Sequence, residues 1–473
     1  MKQYTKQYIG GQWREGRGKE MSNFNPYTNE LLYTYKGANQ EDVDDAYKAA
    51  QAAQVEWAAT TPAHKIQMLK KLIPAFESLR EDMIACDTEE GGKSIHIGGV
   101  DLNYIIEAIE DAIRYPTMIQ GTIMPSNIPG RECYGYKVPK GVIGVISPWN
   151  HLFVLAMRYT LPAIACGNAV VLKPSSETPG SAMILAEAFD KAGFPAGLFN
   201  VVAGAGSEIG DYFVTHPIPA MHSFTGSTET GRRISELAGR HFKDVALEMG
   251  GNNVMIVLDD ADVSKAIKSV GFGKFLLNGQ VCMAVNRFIV MDAVHDRFVE
   301  ELTAMVKSLK CGNPSDPTVN IGPLINNTQV KSVEAFVEKT LQAGATVAVE
   351  GKTEGNVVHP WVLTNVSNKM PTACCEVFGP VCSVIKVSSE EEAIAVANDT
   401  EYGLSGCVWT EDIFRGIQVS KKVQTGNMHI NSHPISAEYH VLFGGEKSSG
   451  RGRSGGQWYI NSFTKEVLIT VNL

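Results

Sequence analysis

Short apolar runs that alternate with helical segments dominate the chain from about residue 141 onward. The runs are Val142 to Ile146, Ala169 to Leu172, Phe199 to Val202, Met221 to Phe224 and Val254 to Leu258. Stacked β-α-β units produce this alternation, because strands covered by helices on both faces read as continuous apolar runs. The pattern therefore predicts a mainly parallel sheet with helices on its faces, in an α/β nucleotide-binding layout.

A second α/β region follows from about residue 259, with further buried strands predicted near Arg287 to Val290 and Val381 to Val387. Earlier in the chain, residues 39 to 58 have helical spacing, with Asn39 as a candidate cap and Asp42 three residues later. The segments Ile123 to Val138 and Phe463 to Val471 are predicted to form strands. These strands either leave the main body to pair with another subunit or form an internal edge hairpin.

Length and composition narrow the functional classes. A chain of 473 residues is too long for one ordinary core, which favours two or three domains. The net charge is −9 and the basic residues are scattered, so we expect no nucleic-acid partner. We also expect no membrane span, because no stretch approaches the roughly 20 apolar residues that one requires, and we predict a cytoplasmic protein.

The nine cysteines show neither CxxC nor Cys/His ligand spacing, so we expect reduced thiols, no disulfide framework and no metal site. Cys282 is the candidate nucleophile among them, in the run Gly279 to Cys282, thirty-four residues after Glu248. Backbone N–H groups near a helix start can lower the pKa of a cysteine thiol towards the working range. The structural alternative is a small buried side chain among apolar neighbours.

Three polar turns follow predicted strands, where ligands of open α/β sheets bind. The first ends in Asn150, whose amide could donate to an oxyanion or cap a helix. The second runs from Lys173 to Glu177 and suits a ribose or phosphate, or is a solvated loop. The third runs from Phe224 to Gly231, where glycine and a helix start could admit a phosphate.

Motifs in the same order throughout the chain resemble the aldehyde dehydrogenase superfamily. They are Ile9 to Trp13, Asn25-Pro26, Pro148 to Asn150, Lys173-Pro174, Phe224 to Ser227, Leu247 to Gly251, Gly279 to Cys282, Glu376 to Pro380 and Phe443 to Gly450. The resemblance implies a Rossmann-like cofactor domain over residues 1–120 and 140–247 and a catalytic domain over 248–445. It also implies a small β oligomerisation extension over 121–139 and 458–473, in a homodimer or homotetramer.

The resemblance also assigns roles to particular residues. Cys282 would be the nucleophile, Glu248 the general base, and Asn150 with the Cys282 backbone N–H the oxyanion site. The implied cofactor is NAD or NADP, and the residues expected to contact it are Ile146, Trp149, Lys173, Ser176, Gly226, Ser227, Glu376 and Phe378. The implied activity is oxidation of a small-molecule aldehyde to its acid through a thiohemiacetal and a thioester.

Two positions depart from the family pattern. Ser176 stands where many members carry an acidic residue that bonds the ribose hydroxyls and repels a 2′-phosphate, and Glu177 is displaced by one position. We therefore expect both cofactors to be accepted. Cys375 replaces an acidic residue that commonly precedes Glu376.

The substrate pocket is expected to include His151, Leu155 and Arg158, at spacings that can share a helix face. Arg158 is compatible with semialdehyde dehydrogenases, where an arginine holds a distal carboxylate, or with aryl-aldehyde dehydrogenases of the benzaldehyde and vanillin type. Similarity across Phe275 to Met283 and Gly455 to Trp458 favours the aromatic branch. Alternatively, Arg158 points away and pairs with a carboxylate at a domain interface. A coenzyme A-acylating dehydrogenase and a cofactor-independent thiol esterase are the other rival functions.

Overall fold

The structure is a computed structural model that describes residues 4–473, and its mixed α/β architecture confirms the fold class expected from the sequence. The strands in chain order are β1 (Gln7–Ile9), β2 (Gln12–Arg14), β3 (Glu20–Phe24), β4 (Leu31–Lys36), β5 (Thr122–Met124), β6 (Arg131–Pro139), β7 (Val142–Ile146), β8 (Ala169–Lys173), β9 (Phe199–Val201), β10 (Met221–Thr225), β11 (Asp244–Glu248), β12 (Asn253–Val257), β13 (Val285–Met291), β14 (Thr346–Val349), β15 (Thr353–Glu354), β16 (Val357–Val358), β17 (Trp361–Thr364), β18 (Val381–Val387), β19 (Tyr402–Gly403), β20 (Gly406–Trp409), β21 (His429–Ile430), β22 (Glu446–Lys447), β23 (Gly450–Arg451) and β24 (Thr464–Asn472). The helices are α1 (Gln40–Ala59), α2 (Pro62–Glu77), α3 (Arg80–Glu89), α4 (Ile95–Ala112), α5 (Tyr115–Met118), α6 (Leu152–Ala165), α7 (Pro179–Lys191), α8 (Gly206–Thr215), α9 (Thr228–Arg240), α10 (Val263–Phe275), α11 (Asp292–Lys307), α12 (Asn327–Gln342), α13 (Pro371–Cys374), α14 (Glu390–Asn398), α15 (Ile413–Lys422) and α16 (Gly456–Phe463).

The first large sheet has the strand order β2-β1-β9-β8-β7-β10-β11-β23. Strands β9, β8, β7, β10 and β11 are parallel, whereas β1 and β23 pair antiparallel at the two sides. Residues of β7, β8 and β10 are almost all buried, because helices such as α1 and α6 pack against the sheet. Four of the five apolar runs of the sequence correspond to strands of this sheet, β7, β8, β9 and β10, within one residue.

The second large sheet has the order β14-β17-β18-β13-β12-β20-β21 and is parallel except for the β14–β17 pair. Strands β13 and β18 correspond to the runs predicted for the second region. The run Val254 to Leu258 was expected in the first sheet, but as β12 it lies in the second, between β13 and β20. Strand β23 lies beyond residue 445 and yet joins the first sheet. The proposed domain boundaries themselves stay a prediction.

Local signals place the first helix as expected. The Asn39 side chain accepts a hydrogen bond from the Asp42 N–H at 3.1 Å, and the Asp42 carboxylate accepts one from the Asn39 N–H at 3.1 Å. This reciprocal capping box satisfies two N–H groups that the helix itself leaves unpaired. The helix begins at Gln40, as the cap predicts.

The two outlying segments form a three-stranded antiparallel sheet of order β24-β6-β5. The strands pair within the chain, from Thr464 opposite Pro139 to Asn472 opposite Arg131. Any pairing of this sheet with another subunit stays a prediction. Among residues 4–473, no helix has both the length and the apolar character needed to cross a bilayer.

Candidate active site

The three polar turns predicted from the sequence and Glu248 all lie at one edge of the first sheet. Ile146 is opposite Lys173 in the register of β7 and β8, and Thr225 is opposite Glu248 in that of β10 and β11. These residues end parallel strands, so the turns that follow open into the same crevice. The sequence places these turns far apart in the chain, and the sheet brings them together.

Glu248 is a buried carboxylate at the end of β11, with 6% of its surface exposed. Its Oε1 atom accepts a hydrogen bond from the Tyr159 hydroxyl at 3.2 Å, whereas Oε2 has no partner. Burial raises the pKa of Glu248 to about 7, although Arg158 and the Tyr159 bond both lower it. Near neutral pH this carboxyl therefore exists in both protonation states, which suits a general base.

The loop that presents Cys282 begins with a short 3-10 helix over Leu276–Gly279. Leu277, Asn278 and Gly279 have successive φ angles of 49°, 61° and 78°. Such left-handed backbone is costly for leucine and suits glycine, and a Cβ atom on Gly279 would also collide with the carbonyl oxygen of Gly379. The Asn278 side chain holds the turn by accepting from the Gly322 N–H at 2.7 Å.

Asn253, the first residue of β12, fixes the loop from its other side. Its Nδ2 atom donates to the carbonyl oxygens of Cys282 at 2.7 Å and Ala284 at 2.9 Å. Its Oδ1 atom accepts from the Ser405 N–H at 2.9 Å. Asn253 was not predicted from the sequence, although a polar residue at the start of an otherwise apolar strand was the available signal.

The Cys282 thiol has a raised pKa, so the expected lowering was wrong for this structure. Burial raises the pKa to about 12, and Glu376 and Glu248 add to this, whereas Arg158 and the Met283 N–H lower it. The 3-10 helix ends before Cys282, so the thiol does not lie at a helix start. The resting thiol is therefore protonated at neutral pH.

Asn150 is buried, with 7% of its surface exposed, and it lies beside the Cys282 loop. Its Nδ2 atom donates to the carbonyl oxygen of Gln280 at 3.0 Å, which leaves the second N–H of the amide. The N-cap of α6 is His151, with no side-chain cap bond, so Asn150 does not cap that helix. Because Gln280 precedes Cys282 by two positions, this bond places Asn150 beside the loop that carries the thiol. This placement suits an oxyanion donor, a role that stays a prediction.

Residues expected to contact the adenosine and pyrophosphate line the same edge. Lys173 is buried, donates to the Pro174 carbonyl at 3.2 Å, and has a pKa lowered by burial to about 8. Gly226 precedes Ser227, the exposed N-cap of α9, whose side chain accepts from the Thr230 N–H. The open N-terminus of α9 fits an anionic group such as a diphosphate.

Glu376 and Phe378, expected near the nicotinamide riboside, contact residues that follow β11 and β7. The Glu376 Oε1 atom accepts from the Gly251 N–H at 2.9 Å, and burial raises the pKa of this carboxyl to about 7. The Phe378 ring makes an edge contact with Trp149, with the ring centroids 5.5 Å apart. Together, the lysine, the helix terminus and this carboxylate fit a dinucleotide with ribose hydroxyls.

A cavity of about 620 Å³ adjoins the Cys282 loop. All three expected pocket residues, His151, Leu155 and Arg158, line it. Burial lowers the pKa of His151 to about 4, so its imidazole is neutral. Leu276 and Met283, from the run Phe275 to Met283, also line it. The rest of the wall has no motif and was not predicted from the sequence: Ile97, Val100, Asp101, Tyr104, Glu107, Glu110, Asp111, Arg114, Val154, Phe272, His433, Ile435, Ser436, Ala437, Glu438, Tyr439 and His440.

Arg158 is a buried cation without a carboxylate within ion-pair distance in the described part of the chain. Its Nη2 atom is 3.4 Å from the Ser454 hydroxyl, and its guanidinium lies 4.2 Å from the centre of the Phe443 ring. Its Nε atom has no partner. Among the described residues, Arg158 therefore does not pair with a carboxylate at a domain interface. Its guanidinium can still donate a hydrogen bond at the cavity.

Comparisons with known proteins agree with this geometry. Residues 13–469 match the model of the aldehyde dehydrogenase family. A vanillin dehydrogenase of Corynebacterium glutamicum is 44% identical, and a benzaldehyde dehydrogenase of Bacillus subtilis is 43% identical; each alignment covers 99% of this chain and 97% of the relative. The crystal structure of an NAD-dependent benzaldehyde dehydrogenase from C. glutamicum superposes with a TM-score of 0.92 at 41% identity, over 100% of this chain and 97% of that one.

The electrostatics of Glu248 can be tested directly. Tyr159→Phe removes a hydrogen bond that lowers the Glu248 pKa, so we expect this carboxyl to titrate at a higher pH than in the wild type. Infrared difference spectra recorded against pH, with the Glu248→Gln spectrum subtracted, would follow the protonated carboxyl band. Tyr8→Phe is the matched control, because it removes a tyrosine–carboxylate bond of 3.1 Å to Asp190 elsewhere. An unchanged titration in Tyr159→Phe would contradict the assignment.

Proposed function

The chain belongs to the aldehyde dehydrogenase family, and we propose that it oxidises an aromatic aldehyde to the carboxylic acid through an acyl-enzyme on Cys282. Family membership makes it an NAD(P)-dependent oxidoreductase. The observation that carries the proposed site is the buried, hydrogen-bonded Glu248 beside the fixed Cys282 loop. The residue roles below are part of the proposal.

In the proposed mechanism, the Cys282 sulfur attacks the aldehyde carbonyl carbon and forms a thiohemiacetal. Because the thiol pKa is raised, the sulfur gives its proton to solvent water as the carbon–sulfur bond forms, and not beforehand. The free N–H of Asn150 and the Cys282 backbone N–H donate to the new oxyanion, a contribution typically worth about 3 kcal/mol per donor.

A nicotinamide cofactor, when bound, supplies the acceptor for the hydride that leaves the thiohemiacetal carbon. Glu248 then takes a proton from a water molecule, which attacks the thioester and releases the acid and the thiol. A carboxyl with a pKa of about 7 is deprotonated often enough at neutral pH to do this and is a stronger base than an ordinary glutamate.

Both cofactors are proposed to be accepted. Lys173 and Ser176 would contact the adenosine ribose, and Glu376 the nicotinamide riboside. The Glu177 carboxylate is not free to replace the missing acidic residue, because Asn326 donates to it at 3.3 Å and its backbone oxygen accepts from Asn23 at 2.7 Å. A 2′-phosphate would therefore meet a serine hydroxyl where many relatives present a carboxylate.

The charges of the cavity support an uncharged aromatic substrate. The cavity is lined by five acidic residues, Asp101, Glu107, Glu110, Asp111 and Glu438, and by two arginines, Arg114 and Arg158. Lys93 pairs with Asp101 at 2.8 Å, so four acidic residues remain against the two arginines. Repulsion disfavours a substrate with a second carboxylate, whereas Tyr104, Leu155 and Tyr439 offer apolar surface to a ring. The vanillin and benzaldehyde dehydrogenases among the relatives agree with this choice.

A semialdehyde dehydrogenase is the second candidate, and the unpaired Arg158 is the observation in its favour. Coenzyme A-acylating chemistry would not need a water-activating carboxylate, so the presence of Glu248 supports hydrolysis. An esterase without a cofactor would leave Lys173, Glu376 and the α9 terminus without a role. The cytoplasmic location stays a prediction.

We further propose that the β24-β6-β5 sheet joins copies of the chain in a homodimer or homotetramer. Its strands expose large apolar side chains, including Ile123 at 78% and Leu468 at 61% of their surface. Exposed apolar patches and unpaired strand edges favour association.

Glu248→Gln should retain a burst of reduced cofactor of about one equivalent per active site and lose steady-state turnover by roughly a hundredfold or more. The amide cannot take a proton from water, so the thioester accumulates after the hydride step. Stopped-flow absorbance at about 340 nm measures both phases. Glu350→Gln, at an exposed position that follows β14, should behave as the wild type, and equal loss of burst and turnover in Glu248→Gln would refute the role.

Benzaldehyde should be oxidised with a kcat/KM at least about tenfold above that of succinate semialdehyde, because the acidic lining repels the second carboxylate. Arg158→Met separates the two candidates, since it keeps side-chain length and removes the charge. The aromatic preference would be wrong if the semialdehyde were the better wild-type substrate and lost its advantage in Arg158→Met.

Wild-type kcat/KM values for NAD and NADP should agree within roughly a thousandfold, equivalent to about 4 kcal/mol. Ser176→Glu should then lower kcat/KM for NADP by about a hundredfold or more, because a carboxylate would repel the 2′-phosphate. Ser176→Ala is the control: it removes the hydroxyl without adding a charge, so it should change kcat/KM for NAD and for NADP by a similar factor. A wild-type preference beyond the thousandfold limit would contradict dual cofactor use.

A further inference from the structure

Two adjacent cysteines, Cys374 and Cys375, form a feature that the proposed reaction does not use. Cys374 is the last residue of α13 and is exposed, and Cys375 is partly buried. Their Sγ atoms are 3.5 Å apart, and both thiols are free. Solvent therefore reaches a pair of reduced sulfurs that already face each other.

The backbone around this pair is fixed. The Asn286 Nδ2 atom donates to the carbonyl oxygens of Cys375 at 2.8 Å and Thr372 at 3.1 Å, and the Asn286 Oδ1 atom accepts from the Val377 N–H at 3.4 Å. The Cys374 N–H donates to the Met370 carbonyl oxygen at 2.9 Å. A ligand that needs no movement of the backbone is consequently favoured over one that does.

The separation of the sulfurs selects the kind of ligand. A relaxed disulfide joins Cα atoms that are about 4.4–6.8 Å apart, whereas the Cα atoms of adjacent residues are only about 3.8 Å apart across a trans peptide, so a disulfide is disfavoured here. A single atom that bonds both sulfurs at about 2.3 Å, the usual length of a metal–thiolate bond, spans 3.5 Å with an angle of about 100° at that atom. Pyramidal, three-coordinate centres adopt such angles.

The number of donor atoms and the protonation of the thiols narrow the choice of ligand further. The described residues contain no group of three or more candidate metal ligands, so a closed structural zinc site is not available here. Burial, followed by the Cys374 thiol, raises the pKa of Cys375 to about 11. A divalent metal would have to displace these protons, whereas a trivalent arsenic oxide consumes them.

We propose that Cys374 and Cys375 form a preformed dithiol site for one soft, thiophilic centre, of which trivalent organic arsenic is the class that the geometry fits. Phenylarsine oxide condenses with the two thiols: two arsenic–sulfur bonds form, the arsenic–oxygen double bond breaks, and the oxygen leaves with both protons as water. Arsenic remains trivalent, so the step needs no oxidant or reductant.

This site differs from Cys282 in its response to a competing monothiol. An arsenical on a single thiol exchanges with excess glutathione, whereas a dithiol chelate persists because both bonds must break before the arsenic leaves. Excess 2,3-dimercaptopropanol, which is itself a dithiol, should remove it. The distinction does not depend on catalysis and separates this proposal from the proposed reaction.

The experiment treats the full-length wild-type enzyme with phenylarsine oxide, then with excess glutathione, and measures retained arsenic per chain by elemental mass spectrometry after gel filtration. We expect about one equivalent in the wild type and in Cys282→Ser, and loss of it in Cys374→Ser and Cys375→Ser. Peptide mapping of the wild-type adduct should place the arsenic on the peptide that contains both cysteines, which holds even if a variant folds poorly.

Three results would overturn the proposal. Wild-type enzyme that retains no arsenic in glutathione would show that the pair does not chelate. Retention in well-folded Cys374→Ser or Cys375→Ser would show that one thiol suffices. Loss confined to Cys282→Ser would place the adduct at the active site.

Discussion

Shared burial of Glu248, Glu376 and the Cys282 thiol is the constraint on which the site depends. Desolvation raises the pKa of each carboxyl to about 7 and that of the thiol to about 12. Like charges in a low-dielectric cleft disfavour one another, so a thiolate there competes with both carboxylates. Arg158 offsets part of this cost, because its positive charge lowers the pKa of both Cys282 and Glu248.

The fold supplies this arrangement from rigid parts. Glu248 ends a strand of the first sheet, whereas the Cys282 loop is held by Asn253 at the start of a strand of the second. Asn150 joins the two by donating to Gln280 across the cleft. Because the buried side chains of Asn253 and Asn150 hold the loop from both sides, the backbone that carries the thiol is fixed.

Much of this architecture was predictable because the helix cap and the apolar runs in the sequence form the same elements in the folded chain. The Asn39 cap located α1, and uninterrupted apolar runs located the buried parallel strands. The direction of the Cys282 pKa shift was not predictable, since it depends on burial and on carboxylates more than thirty residues away in sequence. Tyr159 and Asn253 were missed because a tyrosine in an apolar helix and an asparagine in a strand resemble ordinary core residues. The cavity wall around Tyr439 carries no motif, so only the folded chain assembles it.

The central claim is that Cys282 carries the oxidised acyl group while the cofactor is reduced. Mass spectrometry of enzyme quenched in acid during turnover of benzaldehyde, with Glu248→Gln used to accumulate the intermediate, tests it most directly. The account predicts a benzoyl thioester on the peptide that contains Cys282. An acyl group on any other side chain, or its absence while reduced cofactor appears, would contradict it.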